Sequence, residues 1–293
     1  MCNTNNPNNN TQSHRDYWDS FIDQWKTCSS NSILCWTNPD CVPLYNDTNN
    51  LSSCFIPEPW WGNDGNDFLH SVVINYNPGA GGLRQKKDHL PFFNTYSEDI
   101  VKNNKLYLIE TIHWHWVKRA RPIYEALNFT GTSLNNHLSI ELIPWHTASA
   151  NDNNLKEYLR QNIVQVYKHC ILFAAEESRR INNPYLRDVV IIRMNGDKTR
   201  MLLKLLNRNV NVSICIQNVV GDKDGKIQKF KITDNNNPII NDVTFVSIWG
   251  EKTRNNFPNN LASLLSNFHN SKTVICDTTF SAKKKFIKHP VME

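Results

Sequence analysis

The alternation of short apolar strand segments with amphipathic helix segments limits the folds open to this chain more than any other feature. Apolar runs of strand length lie at 71–75, 138–143, 188–194, 210–218 and 243–249. Between the second and third runs, apolar residues recur at helical spacing from position 155 to position 173. Such alternation is typical of parallel strands joined by helical crossovers. We therefore predict an α/β fold, a three-layer α/β/α sandwich around a mostly parallel sheet of four to five strands.

Length and composition favour one domain with a long insertion. The chain has 293 residues, of which 40% are hydrophobic, enough to bury one sizeable core. Residues 1–12 are Asn-rich and poor in apolar groups, so we expect a flexible tail there and a single domain at 13–293. Within that domain, residues 84–137 form a basic, aromatic insertion. The turn at 221–225 and the period-2 run Ile227, Lys229 and Lys231 predict a hairpin excursion outside the core. A first amphipathic helix is predicted by apolar residues at helical spacing: Tyr17, Trp18, Phe21, Ile22 and Trp25.

The first strand ends in a motif that carries chemistry. The apolar run at 71–75 is followed by Tyr76 and then by the turn Asn77-Pro78-Gly79, with two further glycines at 81 and 82. Small residues in such a turn allow the backbone to approach a ligand closely. Ligands of open parallel sheets bind beyond the carboxyl ends of the strands, so this turn is the first candidate site.

This strand and turn resemble motif one of the uracil-DNA glycosylase superfamily, in the Asn-Pro-Gly form of its mismatch-specific and single-strand-selective branches. The resemblance implies a glycosylase-like domain that flips a base out of DNA and hydrolyses its N-glycosidic bond. It assigns to Asn77 the role of holding the hydrolytic water, and to Pro78 and Gly79 the close backbone approach to the flipped base. Asn75 stands where the family usually has Gly, and with Tyr76 it is expected to line the base pocket.

The chemistry of base removal agrees with an amide at position 77. Departure of the base leaves an oxocarbenium-like sugar, so an oriented water and stabilisation of the leaving base matter more than a strong nucleophile. An amide orients water without titrating, and we expect modest turnover. Gly79 replaces the Tyr that makes the strictest branch reject bulky bases, so a larger or modified base is expected to fit.

The end of the second strand supplies a second candidate group. Residues 141–147 read Glu-Leu-Ile-Pro-Trp-His-Thr, at the place where the family hydrogen-bonds or stacks on the flipped base. His146 is the predicted catalytic partner, because its imidazole can donate to the base and stabilise negative charge on it. Trp145 is the predicted stacking residue. A histidine that only caps the next turn is an equally weighted alternative for His146.

DNA contact is expected from several basic segments. The family's second signature, a His-Pro-Ser-Pro-like loop, is absent; its nearest counterpart is 249–258, with Lys252 and Arg254, and the segment 195–200, with Lys198 and Arg200, competes with it. Basic side chains in these loops suit phosphates. The insertion interleaves Trp114 and Trp116 with cations, as a single-strand contact does, although a partly buried helix with a solvated basic face explains it as well. Its candidate DNA ligands are Lys118, Arg119 and Arg121.

We predict no cofactor and no metal. Cys28, Cys35, Cys41 and Cys54 lack the close pairs of typical zinc sites, and free thiols are favoured over a metal for the eight cysteines of the chain. No apolar run reaches membrane-spanning length, and the polar N-terminus lacks the apolar segment of a secretory signal. We expect an intracellular, cytoplasmic monomer. DNA is the expected partner, which the net charge of +5 permits without requiring.

The sequence thus predicts a DNA glycosylase that leaves an abasic site, in DNA repair or in defence against phage with modified bases. One alternative is a catalytically weak DNA-recognition module on the same fold. Another is a small-molecule nucleoside or nucleotide hydrolase on a similar scaffold.

Overall fold

One mixed sheet with helices packed on it forms the part of the chain that the computed structural model describes, which is residues 14, 16–18, 20, 60–62, 69–76, 137–144, 153–182, 186–219, 226–249 and 278–280. The predicted α/β class is confirmed. The strands are β1 (Trp60–Gly62), β2 (Ser71–Asn75), β3 (His137–Glu141), β4 (Val189–Arg193), β5 (Ser213–Val219), β6 (Lys226–Thr233), β7 (Thr244–Trp249) and β8 (Thr278–Phe280).

The sheet has a parallel half and an antiparallel half. Its order is β1-β3-β2-β4-β7-β6-β5-β8. The neighbours β3, β2, β4 and β7 are parallel, whereas β1 pairs antiparallel with β3. On the far side, β6, β5 and β8 follow β7 in successive antiparallel pairs. β2, the strand that carries the Asn-Pro-Gly motif at its end, is therefore an inner strand of the parallel half.

The parallel strands are buried on both faces. Every residue of β2 and of β3 is buried. Strands covered on both faces read as near-continuous apolar runs, which explains why β2, β3, β4 and β7 stood out in the sequence. Hydrophobic side chains of these strands and of the helices form the main core.

The helices follow β3 and β4. After β3 come α1 (Asn153–Val166), a π-helical segment (Tyr167–Ile171) and α2 (Leu172–Ser178), and α3 (Gly196–Asn209) follows β4. Asn195 caps α3, because its side chain accepts a hydrogen bond of 2.9 Å from the backbone N–H of Lys198. The predicted helix over 155–173 is confirmed.

The three helices lie on one face of the sheet. The crossovers from β3 to β4 and from β4 to β5 both advance in the same direction along the sheet. Right-handed crossovers in the same direction place their helices on the same face. The contacts agree with this: α2 packs on β2 and β4, α3 packs on β5 and β7, and α1 contacts α3. We call this the helix face and the other side the opposite face.

The structure corrects three expectations about the sheet. The described residues form eight strands where four to five were predicted. Only three of the seven pairings among these strands are parallel, so the prediction of a mostly parallel sheet was wrong. The run at 210–218 yields β5, which pairs antiparallel on both sides. The predicted hairpin is present between β5 and β6, but β6 is inside the sheet, with Phe230 and Ile232 fully buried. The tail and residues 84–136 of the insertion lie outside the described residues, whereas His137, the last residue of the predicted insertion, begins β3.

The predicted N-terminal helix docks on the helical layer. Residues 14, 16–18 and 20 have helical backbone, and Trp18 is buried with its indole N–H donating to the carbonyl of His169 at 3.2 Å. Tyr17 stacks on the His169 ring with 3.6 Å between centroids. His14 contacts His169 through the two Nδ1 atoms at 3.3 Å and Glu176 through Nε2 at 3.5 Å. A buried histidine cluster therefore joins this segment to the π-helical segment and α2.

We expect this cluster to make stability depend on pH. Burial lowers the pKa of His169 to about 3, and the positive charges of His14 and Lys168 add to the effect. In the unfolded chain the histidine titrates near its ordinary 6.5, so below that pH the unfolded state binds a proton that the folded state does not. The free energy of unfolding should then fall by about 1 kcal/mol per pH unit as the pH drops from about 6 to about 4. Urea unfolding of wild type and His169→Gln across this range tests it: the variant should show the shallower slope, and equal slopes contradict the assignment.

Two further findings concern cysteines and membranes. Cys215 on β5 is disulfide-bonded, which corrects the expectation of a free thiol at that position, whereas Cys170 is free and buried. Cys28, Cys35, Cys41 and Cys54 lie outside the described residues. Within the described part of the chain, no helix has both the length and the apolar character needed to cross a membrane.

Candidate functional site

Three polar side chains end three neighbouring parallel strands. Asn75, the last residue of β2, is in register with Glu141 at the end of β3 and with Arg193 at the end of β4. Residues in register share a face because side chains alternate along each strand. We call Glu141, Asn75 and Arg193 the strand-end row. One residue earlier, Ile140, Ile74 and Ile192 form a row that continues to Ser247.

The strand-end row lies on the opposite face of the sheet. Ser247 Oγ lies 2.9 Å from Thr199 Oγ1 of α3, so the isoleucine row that includes Ser247 belongs to the helix face. The strand-end row, which alternates with it, is on the other side. Two more polar pairs share that side: Ser71 Oγ lies 2.6 Å from His137 Nδ1, and Asn75 Nδ2 donates to Ser139 Oγ at 2.6 Å. A polar strip therefore runs along β2 and β3 and ends at the carboxyl edge.

The side chain of Asn75 is fixed on one side only. It is 3% exposed, and its Nδ2 is held by Ser139. Its Oδ1 is buried and has no hydrogen-bond partner among the residues that the structure describes. Burying an amide oxygen without a partner costs about 1–3 kcal/mol. Asn75 therefore presents a fixed acceptor at the end of the central strand.

Glu141 places a carboxylate inside the same edge. Its side chain is 0% exposed, and burial of a charged group is expensive unless other groups compensate it. Its backbone carbonyl accepts from Cys170 Sγ at 3.6 Å. Burial raises the pKa of the Cys170 thiol, and the negative charge of Glu141 raises it further. The negative charge of the Glu141 carboxylate thus affects the pKa of a neighbouring group.

The ends of β2 and β3 are held together beyond the strands themselves. The backbone N–H of Leu142 donates to the carbonyl of Asn75 at 3.0 Å, and that of Ile143 donates to the carbonyl of Tyr76 at 3.1 Å. The described segment that contains β2 ends at Tyr76, and the segment that contains β3 ends beside it, at Pro144. The Asn-Pro-Gly motif and the predicted residues Trp145 and His146 follow these two positions in the sequence.

The helix-face side of this edge carries a cation. Lys198 Nζ lies 4.2 Å from the ring centroid of the buried Tyr76. Since Lys198 is in the first turn of α3, this cation–π contact joins the amino end of α3 to the end of β2. Asp197, next to it, is exposed and pairs with Arg200 at 3.4 Å. Both faces of the edge are therefore polar or charged.

The edge coincides with a change of direction in the topology. From β2 the chain passes to β3 on one side, and from β3 it crosses back over β2 to β4 on the other side. In open α/β sheets, ligands bind in the crevice outside the carboxyl ends of the strands at such a switch point. The end of β2 is that point here. The general rule and the polar strand-end row therefore indicate the same place as the ligand site.

The structure brings together only part of the predicted site. Of the predicted residues, Asn75, Tyr76 and Lys198 lie at the β2 edge. Arg200 is exposed on α3. The remaining predicted residues lie outside the described part: Asn77, Pro78, Gly79, Lys118, Arg119, Arg121, Trp145, His146, Lys252 and Arg254.

Glu141 and Arg193 were not predicted as site residues. Glu141 lies inside the apolar run at 138–143, and Arg193 lies inside the run at 188–194. A charged residue within an apolar strand run is the signal that points to them. Which strands are neighbours, and in what register, is the information that unites them, and it comes from the structure.

Neither a metal site nor a known relative identifies this edge. Among the described residues, no group of three or more His, Cys, Asp or Glu side chains is placed to hold a metal ion. Comparisons of the chain with protein-family models, curated proteins and solved structures found no match. The motif and the geometry of the strand ends are therefore the basis for a function.

Proposed function

We propose that the chain is a DNA glycosylase that flips a damaged or modified base and hydrolyses its N-glycosidic bond, in repair or in defence against phage. The observation that carries the proposal is the position of the end of β2. Asn75 and Tyr76 lie at the switch point of the parallel half, and Asn75 lies between Arg193 of β4 and the buried Glu141 of β3. The Asn-Pro-Gly motif follows directly, and its Asn77 is one peptide unit, about 3.8 Å between Cα atoms, beyond Tyr76.

In the proposed reaction, the main task of the protein is to orient the water and the leaving base. A water held by the Asn77 amide bonds through its oxygen to the anomeric carbon, and the electron pair of the C–N bond leaves with the base. One water proton ends on the base and the other stays on the new hydroxyl of the abasic sugar. His146 acts on the leaving base, and Trp145, Pro78 and Gly79 enclose it. The adjacent exits of the chain at Tyr76 and Pro144 support the placement of these groups around one base.

The second helical layer belongs to the same proposal. Strand residues on the opposite face, such as Ser71, Val73 and Val246, are buried although the described helices lie on the other side. The β2-to-β3 connection runs against the direction of the other crossovers, so a right-handed connection covers this face. We assign this cover to the insertion at 84–137, which completes a three-layer α/β/α sandwich in one domain at 13–293. The domain acts as a cytoplasmic monomer without a cofactor.

The proposed contact between DNA and α3 can be tested separately from the base release. Lys198 is at the β2 edge, where a phosphate beside a flipped base is expected, and the amino end of α3 adds a favourable dipole. Lys198→Ala should weaken single-stranded DNA binding about 3- to 10-fold at moderate salt. It should also reduce the slope of log Kd against log salt by about 1. Fluorescence anisotropy measures both quantities.

Arg208→Ala is the matched control for Lys198. Arg208 is an exposed cation in the last turn of the same helix, about 15 Å farther along the axis. It should leave both affinity and salt slope close to wild type. Equal losses in the two variants contradict a DNA contact centred on the β2 edge.

A base-release assay tests the activity. Oligonucleotides that carry uracil, hypoxanthine, 5-hydroxymethylcytosine or glucosylated 5-hydroxymethylcytosine are incubated with the protein and then treated with alkali, which cleaves abasic sites. Cleavage of at least one substrate supports the glycosylase. DNA binding without cleavage of any substrate favours the recognition module. Hydrolysis of free nucleosides without DNA affinity favours the small-molecule hydrolase.

A further inference from the structure

We propose that His169 is an acid-sensitive anchor of the N-terminal segment, by which we mean the helical residues 14, 16–18 and 20. The segment is docked at neutral pH, and protonation of His169 releases it while the sheet stays folded. Release uncovers the part of α2 and of the π-helical segment on which the N-terminal segment packs. The inference concerns a conformational change and does not depend on the proposed glycosylase function.

Three side chains of the N-terminal segment contact the same residue, His169. His14 approaches it through the two Nδ1 atoms at 3.3 Å, and Tyr17 stacks on its ring with 3.6 Å between centroids. The indole N–H of Trp18 donates to the His169 carbonyl at 3.2 Å. Side chains three and four positions apart lie on one face of a helix, so the three contacts belong to one docked face. A change at His169 therefore affects every one of these contacts.

The contact between the two imidazole rings accommodates one proton. A hydrogen bond between two Nδ1 atoms needs one N–H donor and one nitrogen that carries no proton, whichever ring donates. The Glu176 carboxylate lies 3.5 Å from Nε2 of His14 and orients that ring. A second proton between the rings places two N–H donors against each other, and the rings must then separate. Protonation of both Nδ1 atoms is therefore incompatible with the docked geometry.

The surroundings of His169 favour its neutral form while the segment is docked. The titratable and charged groups around it in the described part of the chain are His14 and Tyr17, Lys168 beside it, and Glu176, which faces His14 from α2. Burial, and then the charges of His14 and Lys168, lower the pKa of His169 to about 3. After release the ring is in water and takes up a proton near its ordinary pKa of 6.5. Between these two values the released state holds one more proton than the docked state, so acid favours release.

The N-terminal segment can open without the rest of the protein. Trp18 is the one buried hydrophobic residue that this segment contributes to the described core, and the strands, the later helices and their connections contribute the others. Segments with few buried apolar contacts near a chain terminus open at a lower free energy than core strands do. Release is therefore a local opening and not the unfolding of the domain.

Native-state hydrogen exchange of the wild-type protein tests the inference. Deuterium uptake is followed by mass spectrometry in a peptide that covers residues 14–20 and in one that covers β4, with correction for the intrinsic exchange rate at each pH. We expect the N-terminal peptide to open with a larger equilibrium constant than β4 at every pH. That constant should rise roughly 50- to 100-fold from pH 7 to pH 4.5. A constant that does not change with pH, or one equal to that of β4, overturns the inference.

Two variants show whether His169 is the cause. His169→Gln keeps a hydrogen-bonding side chain that does not titrate, and the rise of the opening constant between pH 7 and pH 4.5 should shrink to less than about 5-fold. His137→Gln is the control, because His137 is also buried but contacts Ser71 on the opposite face and stays covered when the segment opens. Its rise should equal that of wild type. A full rise in a folded His169→Gln overturns the assignment, and if that variant does not fold, the pH dependence of wild type decides.

Discussion

Replacing Asn77 with Ala should reduce single-turnover base release about 100- to 1000-fold while DNA binding stays within a few-fold of wild type. The expected size is that of losing one preorganised polar group that acts in the transition state. Without the amide, a water beneath the anomeric carbon has no fixed orientation, but the phosphate contacts remain. Release is measured with the substrate that wild type cleaves fastest, and binding is measured by anisotropy on the same oligonucleotide.

Two further variants sharpen this result. Asn77→Asp should retain activity or exceed wild type, because a carboxylate both orients water and accepts its proton. Asn209→Ala removes an exposed asparagine at the end of α3 and should release base at the wild-type rate. A wild-type rate in Asn77→Ala removes Asn77 from the mechanism, whichever base is released.

Replacing Phe230 with Ala should destabilise the protein by about 3–5 kcal/mol. Phe230 of β6 is fully buried and stacks on Phe245 of β7, with 5.3 Å between ring centroids and 7° between ring planes. The truncation removes this contact and leaves a cavity in the core. The free energy of unfolding is measured by urea denaturation.

The control for Phe230 is a substitution on the surface. Val164 of α1 is 53% exposed, and Val164→Ala should change the free energy of unfolding by less than about 0.5 kcal/mol. A loss below about 1 kcal/mol in Phe230→Ala contradicts the position of β6 inside the sheet. The experiment therefore tests the largest difference between the predicted and the observed sheet.

The sequence predicts the parallel half of the sheet well, for a physical reason. β2, β3, β4 and β7 are buried on both faces, so each is an apolar run that no amphipathic helix imitates. In β6 the pattern alternates, with Lys229 and Lys231 on one side and Phe230 and Ile232 on the other. Alternation correctly indicates a strand, but it does not show whether the strand lies at the edge or between two others. Lys229 is itself buried, and burial lowers its pKa.

Strand direction is the second feature that the sequence does not contain. The run that became β5 is as apolar as a parallel strand, and a helix precedes it, as in a crossover unit. It nevertheless pairs antiparallel with β6 and with β8. Direction depends on which strand is its neighbour, and that follows from the path of the whole chain.

The candidate site, like the sheet, can be predicted from the sequence only in part. The motif at the end of β2 is local in sequence, so the amino-acid sequence alone assigns Asn75 and Tyr76 to the site. The strand-end row is not local, because Asn75 is 66 positions from Glu141 and 118 positions from Arg193. Only the register of β3, β2 and β4 shows that these residues share one edge.

The central claim is that the chain breaks an N-glycosidic bond in DNA, and mass spectrometry of both products after a single turnover tests it most directly. The account predicts an intact free base together with an oligonucleotide that has lost that base and gained water, from wild type and not from Asn77→Ala. DNA that is bound but unchanged in mass, a base altered while still attached, or a strand cut without free base would each contradict it.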